Sequence, residues 1–295
     1  MDYQMDYQMD YQMDYQMDYQ IAIPSYNRAD IIQTHTLSTL ARYNIQPNRI
    51  TIFVANKKEG ELYKSQLDSH TYKEIIIGKK GLKNQRHFIR KYYPNNTRLV
   101  QIDDDIQDIQ ELYISSDLNF TRKNSQYRLR PIKNLDKFII NAFKITEKHN
   151  AYLWGIYPVY NPYFMSPTYT TDLRLVVGTM WGTINRHLSS LNETIDEKED
   201  VERTLLHYKK DSNIIRFNNV SVKTRYYETK GGMQSEDKNR KLESAKSAKY
   251  LASRWPKYTT LDTSKKSGYH EVRLRDIDKP REQSTYQLPI TRKSK

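Results

Sequence analysis

The 295-residue sequence contains no cysteine, which excludes a disulfide-stapled scaffold and is typical of a reducing compartment. It has no apolar run near the ~20 residues that cross a membrane, and its N-terminus lacks the basic and apolar parts of a signal peptide. We therefore expect a soluble, intracellular protein with no membrane partner. The hydrophobic content of 37% argues against global disorder and allows one large or two small domains.

The charge of the chain is basic and unevenly distributed. Lys and Arg number 48 against 35 Asp and Glu, a net charge of +13, although residues 1–20 carry acidic charges only. A basic surface with 25 tyrosines suits an anionic partner such as nucleic acid or a nucleotide. Mixed charge with surplus lysine is also an ordinary means of staying soluble.

The chain begins with a four-residue repeat. Met-Asp-Tyr-Gln occurs five times in residues 1–20, a period that matches neither a heptad nor a strand pair. We interpret residues 1–16 as a low-complexity tail, residues 17–235 as the main domain and residues 236–295 as a basic C-terminal extension. The oligomeric state does not follow from the sequence.

Short apolar runs alternate with amphipathic segments after the tail, which predicts an α/β fold. Strands are predicted at 21–23, 50–55, 74–77 and 99–102, and helices between them at 29–43 and 83–89. This alternation predicts a mainly parallel sheet with right-handed crossovers, whose ligands bind at the carboxyl ends of the strands.

The pattern changes after residue 105. A helix is predicted over 134–149, where five apolar residues share one face and Asn134 can serve as N-cap. The remaining predicted elements are strands at 152–160, 173–183 and 214–222 and helices at 196–208 and 238–254.

Three consecutive carboxylates, Asp103, Asp104 and Asp105, follow the fourth predicted strand. Adjacent like charges repel unless water, cations or backbone donors offset them. A solvated turn or a helix cap is one explanation. The position at a strand end favours another, a site for Mg²⁺ or Mn²⁺ that bridges a diphosphate.

The first predicted strand breaks at Pro24 into a polar loop that opens a helix, formed by Ser25, Tyr26, Asn27 and Arg28. These residue types are also ordinary strand-to-helix punctuation. In a binding site, Tyr26 could stack on a base, while Arg28 and the helix N-terminus could meet phosphate.

The loop 24–28, the helix start at 81–86 and the triplet 103–105 together resemble the glycosyltransferases of the GT-A fold, over residues 21–260. Within that superfamily the sequence is similar to the glycosyltransferases associated with TET/JBP-type oxygenases, which act on hydroxymethylated pyrimidines in DNA. The resemblance implies a single-domain, Rossmann-related sheet flanked by helices. It also implies a nucleotide-sugar donor such as UDP-glucose, a divalent cation, and inverting transfer to modified DNA.

The resemblance implies roles for individual residues as well. Asp105 would coordinate the cation, Asp103 would approach the ribose and the cation, and Asp104 would help less directly. Asn56, at the end of the second strand, would lie near the nucleobase. Arg86 would contact donor sugar or phosphate, although it could equally lie on a solvated helix face.

Glycines flank a tryptophan in the predicted strand at 173–183. Gly178 and Gly182 allow the close approach of a ligand or a backbone, and the Trp181 ring can pack on a sugar. A buried tryptophan packed against glycine explains the same residues. The matching strand of GT-A enzymes borders the sugar pocket, so we predict donor contacts for Trp181 and Gly182.

Glu199 and Asp200 resemble the acidic pair of inverting GT-A enzymes, in which one carboxylate takes the proton of the acceptor hydroxyl. We predict Asp200 as the base and Glu199 as the second candidate. The alternative is a helix start at which Asp196 and Glu199 form a capping box.

Lys230, Gly231 and Gly232 follow the strand predicted at 214–222. Consecutive glycines expose backbone N–H groups and Lys230 adds a point charge, a combination suited to a diphosphate. An ordinary loop explains these residues nearly as well. Many GT-A enzymes place a histidine metal ligand here, and this sequence has none at this point.

The basic segment 238–254 could hold a DNA acceptor, because Lys and Arg neutralise phosphates and aromatic rings stack on unpaired bases. A solvated helix with buried aromatics is the alternative. Three other functions stay open: transfer to a protein or glycan, a non-catalytic nucleic-acid-binding module, and nucleotidyl transfer, whose usual paired strand-borne carboxylates are not evident.

Overall fold

The computed structural model describes residues 18–115, 126–224, 240–264 and 268–290. The four predicted strands of the first half are present as β1 (Gln20–Pro24), β2 (Ile50–Val54), β3 (Glu74–Ile77) and β4 (Arg98–Ile102). They pair in parallel in the order β3-β2-β1-β4. The predicted parallel arrangement of this half is therefore confirmed.

Both faces of β1, β2 and β4 are buried, whereas β3 is partly exposed. Ile21 and Ile52 on one face and Ala22 and Phe53 on the other are fully enclosed, as expected of parallel strands that helices cover on both sides. The carboxyl ends of the four strands share one edge of the sheet. That edge carries both the loop after Pro24 and the acidic triplet after Ile102.

Six helices lie in the described ranges: α1 (Ala29–Ile32 and Ser38–Arg42, joined by a π-helical turn at Gln33–Leu37), α2 (Lys57–Gln66), α3 (Leu82–Tyr92), α4 (Leu135–Lys148), α5 (Glu199–Asp211) and α6 (Arg240–Arg254). The sequence prediction missed α2. Its segment is mostly polar and buries only Glu59, Gly60 and Tyr63, so it has no clear apolar period.

Helix α4 matches its prediction and packs against the centre of the core. Asn134 caps it by accepting a 2.8 Å hydrogen bond from the Lys137 N–H. On its buried face, Phe143 packs edge to face against Trp154 with 5.6 Å between the ring centroids. The apolar face predicted from helical spacing is therefore the one that meets the sheet.

The second half of the chain extends the main sheet beyond β4. Its strands there are β7 (Leu153–Ile156), β8 (Thr168–Thr170), β9 (Met180–Ile184), β10 (Ile215–Phe217) and β14 (Thr285–Gln287), giving the order β14-β8-β10-β7-β9-β4-β1-β2-β3. β9 runs antiparallel to both β4 and β7, so β7 runs in the direction of β4. The carboxyl end of β7 therefore lies at the edge of the acidic triplet.

The predicted strands of this half are too long. Residues 173–179 do not form a strand, because the backbone N–H groups of Leu173 and Val176 donate to the side chains of Asp276 and Thr204 rather than to a neighbouring strand. Residues 214–222 form two strands, β10 and β11 (Val220–Lys223), in different sheets. The strand predicted at 152–160 is shorter in the structure, where only the residues of β7 form a strand.

A smaller antiparallel sheet follows the acidic triplet. It consists of β5 (Asp108–Ile114), which pairs with β6 (Tyr127–Pro131) on one side and with β11 on the other. Ile109 and Leu112 of β5 are buried. The triplet thus lies where the chain leaves the main sheet and enters the smaller one.

The C-terminal segment packs on the rest of the molecule. In α6, Arg254 donates a 2.9 Å hydrogen bond to Glu202 of α5. After α6, β12 (Thr259–Asp262) and β13 (Glu271–Leu274) form a hairpin pair, and β14 joins the main sheet beside β8. The boundary at 236 stays a prediction, and the repeat tail 1–16 lies outside the described residues. No helix in the described ranges has the length and apolar character needed to cross a bilayer.

Candidate active site

The acidic triplet lies in a tight turn whose backbone is held by Thr36. The Thr36 hydroxyl donates to the Asp103 carbonyl at 2.7 Å and accepts from the Ile106 N–H at 2.9 Å. Thr36 belongs to the π-helical turn of α1, an irregularity that is frequent at functional sites. Thr36 does not stand out in the sequence, since a π-helical turn leaves no clear mark in residue spacing.

Asp104 points into the protein and joins the triplet to the first loop. It is 4% exposed, and its carboxylate accepts hydrogen bonds from the Ser25 hydroxyl at 2.6 Å and from Arg28 Nη1 at 2.9 Å. The Ser25 hydroxyl also contacts the Tyr63 hydroxyl at 2.7 Å. Burial raises the pKa of Asp104, and Arg28 and Ser25 lower it again in part. Ser25 and Asp104 therefore hold the loop in place, and their donor contacts stay a prediction.

Asp103 and Asp105 are the two carboxylates of the triplet that reach the surface. Their side chains are 34% and 16% exposed. Arg28 Nη1 lies 3.4 Å from Asp105 Oδ2 and thus spans Asp104 and Asp105. The hypothesis that these two residues face a ligand agrees with their exposure.

Arg86 is a buried connection between α3 and the triplet. It is 2% exposed, so the solvated-face explanation is wrong. Its guanidinium donates to Gln101 Oε1 at 2.8 Å, to Asp103 Oδ1 at 3.2 Å and to the Gly178 carbonyl at 3.3 Å. Although the Asp103 side chain is partly exposed, the surrounding protein desolvates its carboxylate and raises its pKa, and the charge of Arg86 opposes that rise.

Gly178 brings the second acidic pair to the triplet. A Cβ at this position would lie 3.4 Å from Glu199 Oε1 and 3.9 Å from both Arg86 Nη2 and Asp200 Cβ. The neighbouring Thr179 carbonyl accepts from the Asp103 N–H at 3.0 Å. The element that lies close to this glycine, as its residue type predicted, is therefore α5. This packing places Glu199 and Asp200 beside Asp103.

The start of α5 differs from a capping box. Lys198 is the N-cap residue, in the left-handed conformation with φ of +64°, and no side chain caps the helix. Asp196 instead accepts a 3.0 Å hydrogen bond from the Lys83 N–H at the start of α3. The capping-box alternative is wrong because Asp196 serves a different helix.

Glu199 and Asp200 differ in environment. Glu199 is buried, and its Oε1 lies 3.5 Å from Arg203 Nη1. Burial raises the pKa of Glu199, and the neighbouring charge of Asp200 raises it further. Asp200 is partly exposed and accepts a 2.9 Å bond from the Val201 N–H. Asp200 is the member of the pair that a substrate can reach.

Trp181 and Gly182 lie inside the protein. Trp181 is 3% exposed, with the Arg203 guanidinium 4.0 Å from its ring centroid. A Cβ at Gly182 would lie 2.2 Å from the Trp154 ring, so this glycine allows the core tryptophan to pack. The core-packing alternative accounts for both residues as placed here, and their donor contacts stay a prediction.

Asn56 and the loop residues lie at the same sheet edge. Asn56 caps α2 by accepting a 3.0 Å bond from the Glu59 N–H, and Glu59 in turn accepts a 2.9 Å bond from the Asn27 N–H. The ring of Tyr26, partly exposed, lies 5.5 Å from Lys80 Nζ, while Pro24 is buried. The sequence analysis missed Glu59 and Tyr63, although Asn56 followed by Glu59 is a capping pattern that could have revealed α2.

The residues suited to a divalent cation are few. Within the described ranges, no three His, Asp or Glu side chains converge on one point that could hold a metal ion. Because Asp104 is turned inward, Asp103 and Asp105 remain, which suits Mg²⁺ or Mn²⁺ bound through one or two carboxylates and substrate phosphates. Lys230, Gly231 and Gly232 lie outside the described residues.

Comparisons with known protein families and with curated proteins give no match. Among solved structures, the chain is similar to S. aureus TarS 1–349 in complex with UDP-GlcNAc, at 13% identity and a TM-score of 0.52. The match covers 82% of this chain and 67% of that chain. A second structure of TarS 1–349 has 14% identity and a TM-score of 0.41, and the match covers 70% of this chain and 59% of that chain. The S. aureus TarS structure has 16% identity and a TM-score of 0.43, and the match covers 70% of this chain and 36% of that chain.

Glucosyl-3-phosphoglycerate synthase from Mycobacterium tuberculosis, in complex with Mn²⁺, UDP and glucosyl-3-phosphoglycerate, is another similar structure. Its identity is 9% and its TM-score 0.45, over 89% of this chain and 88% of that chain. At such identities a likeness concerns the fold. The TET/JBP-associated subfamily stays a prediction. The α/β fold predicted from the sequence, a GT-A-like sheet flanked by helices in a single domain, is confirmed.

Proposed function

We propose that this protein is a metal-dependent glycosyltransferase that moves a sugar from a nucleotide-sugar donor to an acceptor hydroxyl. The observation that carries the proposal is the convergence at Gly178. Arg86 binds both the Gly178 carbonyl and Asp103, and Glu199 and Asp200 of α5 lie within 4 Å of the position that a Cβ on Gly178 would occupy. A candidate donor-binding carboxylate and a candidate base, about a hundred residues apart in sequence, therefore lie side by side, as sugar transfer requires.

The donor side of the proposal rests on the sheet edge formed by β1 and β4. Asp103 and Asp105 would hold Mn²⁺ or Mg²⁺, which when bound would neutralise charge on a donor diphosphate. Tyr26 and Asn56 lie at the same edge and would meet the nucleoside. UDP-glucose is the donor we propose to test first, and Lys230, Gly231 and Gly232 are proposed as further diphosphate contacts.

The acceptor side of the proposal rests on Asp200. Its partly exposed carboxylate would take the acceptor hydroxyl proton while the acceptor oxygen bonds to the anomeric carbon and the bond to the diphosphate breaks. Attack from the face opposite the leaving group gives inversion. Buried Glu199, paired with Arg203, would position the start of α5 rather than move the proton.

A hydroxymethylated pyrimidine in DNA is the acceptor we propose. The charge of +13 and the exposed lysines of α6, among them Lys246 and Lys249, support an anionic partner. Helix α6 contacts the N-terminal half of α5 through Arg254 and Glu202, and it contacts the segment before α5 through a 2.9 Å contact between the Tyr250 and Thr194 hydroxyls. Its basic surface therefore belongs to the helix pair that carries Asp200.

A glycan acceptor is the second candidate, and one surface favours it. Val159, Tyr160, Tyr163 and Phe164 are exposed in the loop that follows β7, at the edge that carries the triplet. The Tyr163 and Phe164 rings pack edge to face with 5.0 Å between their centroids. Exposed aromatic rings can pack on sugars as well as on unpaired bases, so acceptor assays must include both classes.

The proposal is tested by measuring the release of free nucleotide from several nucleotide sugars, UDP-glucose and UDP-GlcNAc among them. Each donor is assayed once with added Mn²⁺ and once with EDTA in place of the metal. Metal-dependent release by the wild type and its loss in Asp105→Ala support a glycosyltransferase. Asp30→Ala, which removes an exposed carboxylate from α1, is the matched control and should keep the activity. No release from any donor, together with DNA binding, would instead identify a non-catalytic nucleic-acid-binding module.

A further inference from the structure

A small cavity of about 20 Å³ lies behind the candidate active site, lined by residues of α3, β9 and α5 and of the segments beside them. Its walls include Arg86, Arg90, Arg186 and Arg203, with Glu193 as the carboxylate that lines it. His207 also lines it, and burial lowers the pKa of this imidazole. Four guanidiniums thus surround a space with room for about one water-sized particle.

Most of the charged ends of these arginines are already bonded away from the cavity. Arg86 binds Asp103, Arg186 forms a paired contact with Asp211, and Arg203 lies beside Glu199. Arg90 and His87 both contact Glu193 Oε2, at 3.3 and 3.0 Å. The Glu193 carboxylate is therefore already paired. The ion pairs of Arg86, Arg186 and Arg203 use their Nη atoms, so the Nε atoms of these three arginines still need hydrogen-bond partners.

Four buried donors on residues that line this cavity have no hydrogen-bond partner among the described residues. They are Nε of Arg86, Arg186 and Arg203, and Nε1 of Trp181. The one unpartnered acceptor there is Asn185 Oδ1, whose amide nitrogen already donates to three backbone carbonyls. Buried donors without partners are costly, so this cluster needs an acceptor.

The ratio of donors to acceptors distinguishes between possible occupants. A water molecule accepts two hydrogen bonds and donates two, whereas the described side chains of the wall offer four buried donors and one buried acceptor without a partner. A monatomic anion accepts from every direction and donates none, and the surrounding guanidiniums favour its charge. The volume of about 20 Å³ favours a single small ion over a polyatomic anion such as sulfate.

We propose that this cavity binds a chloride ion. The ion would lie between the side of Arg86 that faces away from Asp103 and the side of Arg203 that faces away from Glu199. It would thereby fix the two guanidiniums that orient these acidic residues, and its role would be structural. The inference does not depend on the proposed sugar transfer.

The first test is crystallographic, with bromide replacing chloride during crystal growth and anomalous diffraction recorded at the bromine edge. We expect one peak in the cavity, within hydrogen-bond distance of Trp181 Nε1 and of the arginine Nε atoms. Density without an anomalous signal would show water and overturn the proposal.

The second test is thermal unfolding as chloride replaces gluconate at constant ionic strength. Gluconate is too large for the cavity, so a bound ion should raise the Tm with added chloride in a saturable way. Trp181→Phe removes one donor and should raise the chloride concentration at half-saturation by about tenfold, the effect of one hydrogen bond to a charged group.

The matched control is Trp255→Phe. Trp255 also has a buried, unpartnered Nε1 among the described residues, but it does not line the cavity. This variant should keep the wild-type dependence on chloride. A Tm independent of chloride in the wild type, or an equal dependence in all three proteins, contradicts the proposal. The bromide experiment on the wild type decides the question if Trp181→Phe does not fold.

Discussion

Ser25 and Asp104 are 79 positions apart in the sequence, and the Ser25 hydroxyl donates a 2.6 Å hydrogen bond to Asp104 Oδ2. The bond ties the loop after β1 to the turn after β4. Arg28, from the same loop, adds a 2.9 Å ion pair to the other oxygen. The middle carboxylate of the triplet is thereby bound within the protein, whereas the side chains of its two neighbours stay partly exposed.

We expect Asp104→Ala to destabilise the fold by about 3 kcal/mol, because the mostly buried Arg28 charge loses its closer partner and keeps only the 3.4 Å contact with Asp105. Ser25→Ala should cost about 1 kcal/mol, the net value of one hydrogen bond. Denaturant unfolding monitored by fluorescence measures both. Equal stability of Asp104→Ala and the wild type would show that the buried pair contributes nothing.

Asp105→Ala should abolish metal-dependent donor binding while leaving the stability near that of the wild type, because this carboxylate is partly exposed. Isothermal titration with UDP in the presence of Mn²⁺ measures the binding, and thermal unfolding measures the stability. Asp103→Ala should mainly weaken nucleotide binding. Unchanged titration curves for Asp105→Ala would remove this residue from the metal site.

Asp200→Asn should lower turnover about 10²-fold or more with donor affinity little changed, since the lost interaction belongs to the transition state. Steady-state kinetics and donor titration separate the two effects. NMR of the anomeric proton provides an independent check, because inversion fits a base at Asp200. A retained anomeric configuration, or full activity in this variant, assigns Asp200 another role.

The lowered pKa of Glu193 predicts that the folded protein loses stability in acid. Burial alone would raise its pKa, but the bond from His87 and the charges of Arg90 and Arg203 prevail and lower it from 4.5 to about 2. The stabilisation is therefore complete above about pH 4.5 and is lost as the pH falls toward 2. A shift of this size corresponds to about 3 kcal/mol.

Glu193→Gln is the variant that tests this dependence, with the free energy of unfolding measured at pH 7 and pH 3. The gap in stability between the wild type and the variant should narrow at pH 3. A gap of the same size at both values would mean that the ionised form of Glu193 is not what stabilises the protein.

If DNA is the acceptor, the affinity of the protein for DNA should fall with salt concentration, and the lysines of α6 should contribute to that dependence. Lys246→Gln with Lys249→Gln should reduce the slope of log Kd against log salt concentration by up to about 2, roughly 0.9 for each duplex phosphate that these lysines neutralise. Lys209→Gln with Lys210→Gln, at the far end of α5, makes the same charge change and should leave the slope nearly unaltered.

Labelled sugar should be transferred to hydroxymethylated DNA and not to unmodified DNA. The α6 variant should lose this transfer while donor hydrolysis persists. Neither binding nor transfer at low salt would eliminate DNA as the acceptor and turn the search to glycans or proteins.

Local patterns in the sequence were sufficient for much of the fold. The alternation of apolar runs and helices predicted β1 to β4 in parallel, and the spacing of apolar residues predicted α4 with its Asn134 cap. They also placed the acidic triplet at a strand end. These features depend on neighbours within a few residues, which is why composition and period reveal them.

Long-range packing governs how those residues are used. It turns Asp104 inward, buries Arg86 between Asp103 and Gly178, and sets Gly182 against Trp154. It also inserts β9 antiparallel beside β4, which carries Gly178 and α5 to the triplet. Such contacts join residues tens of positions apart, and their direction depends on how whole elements pack. Local sequence therefore determines which side chains lie at the edge of the sheet. Long-range packing determines which of them face solvent.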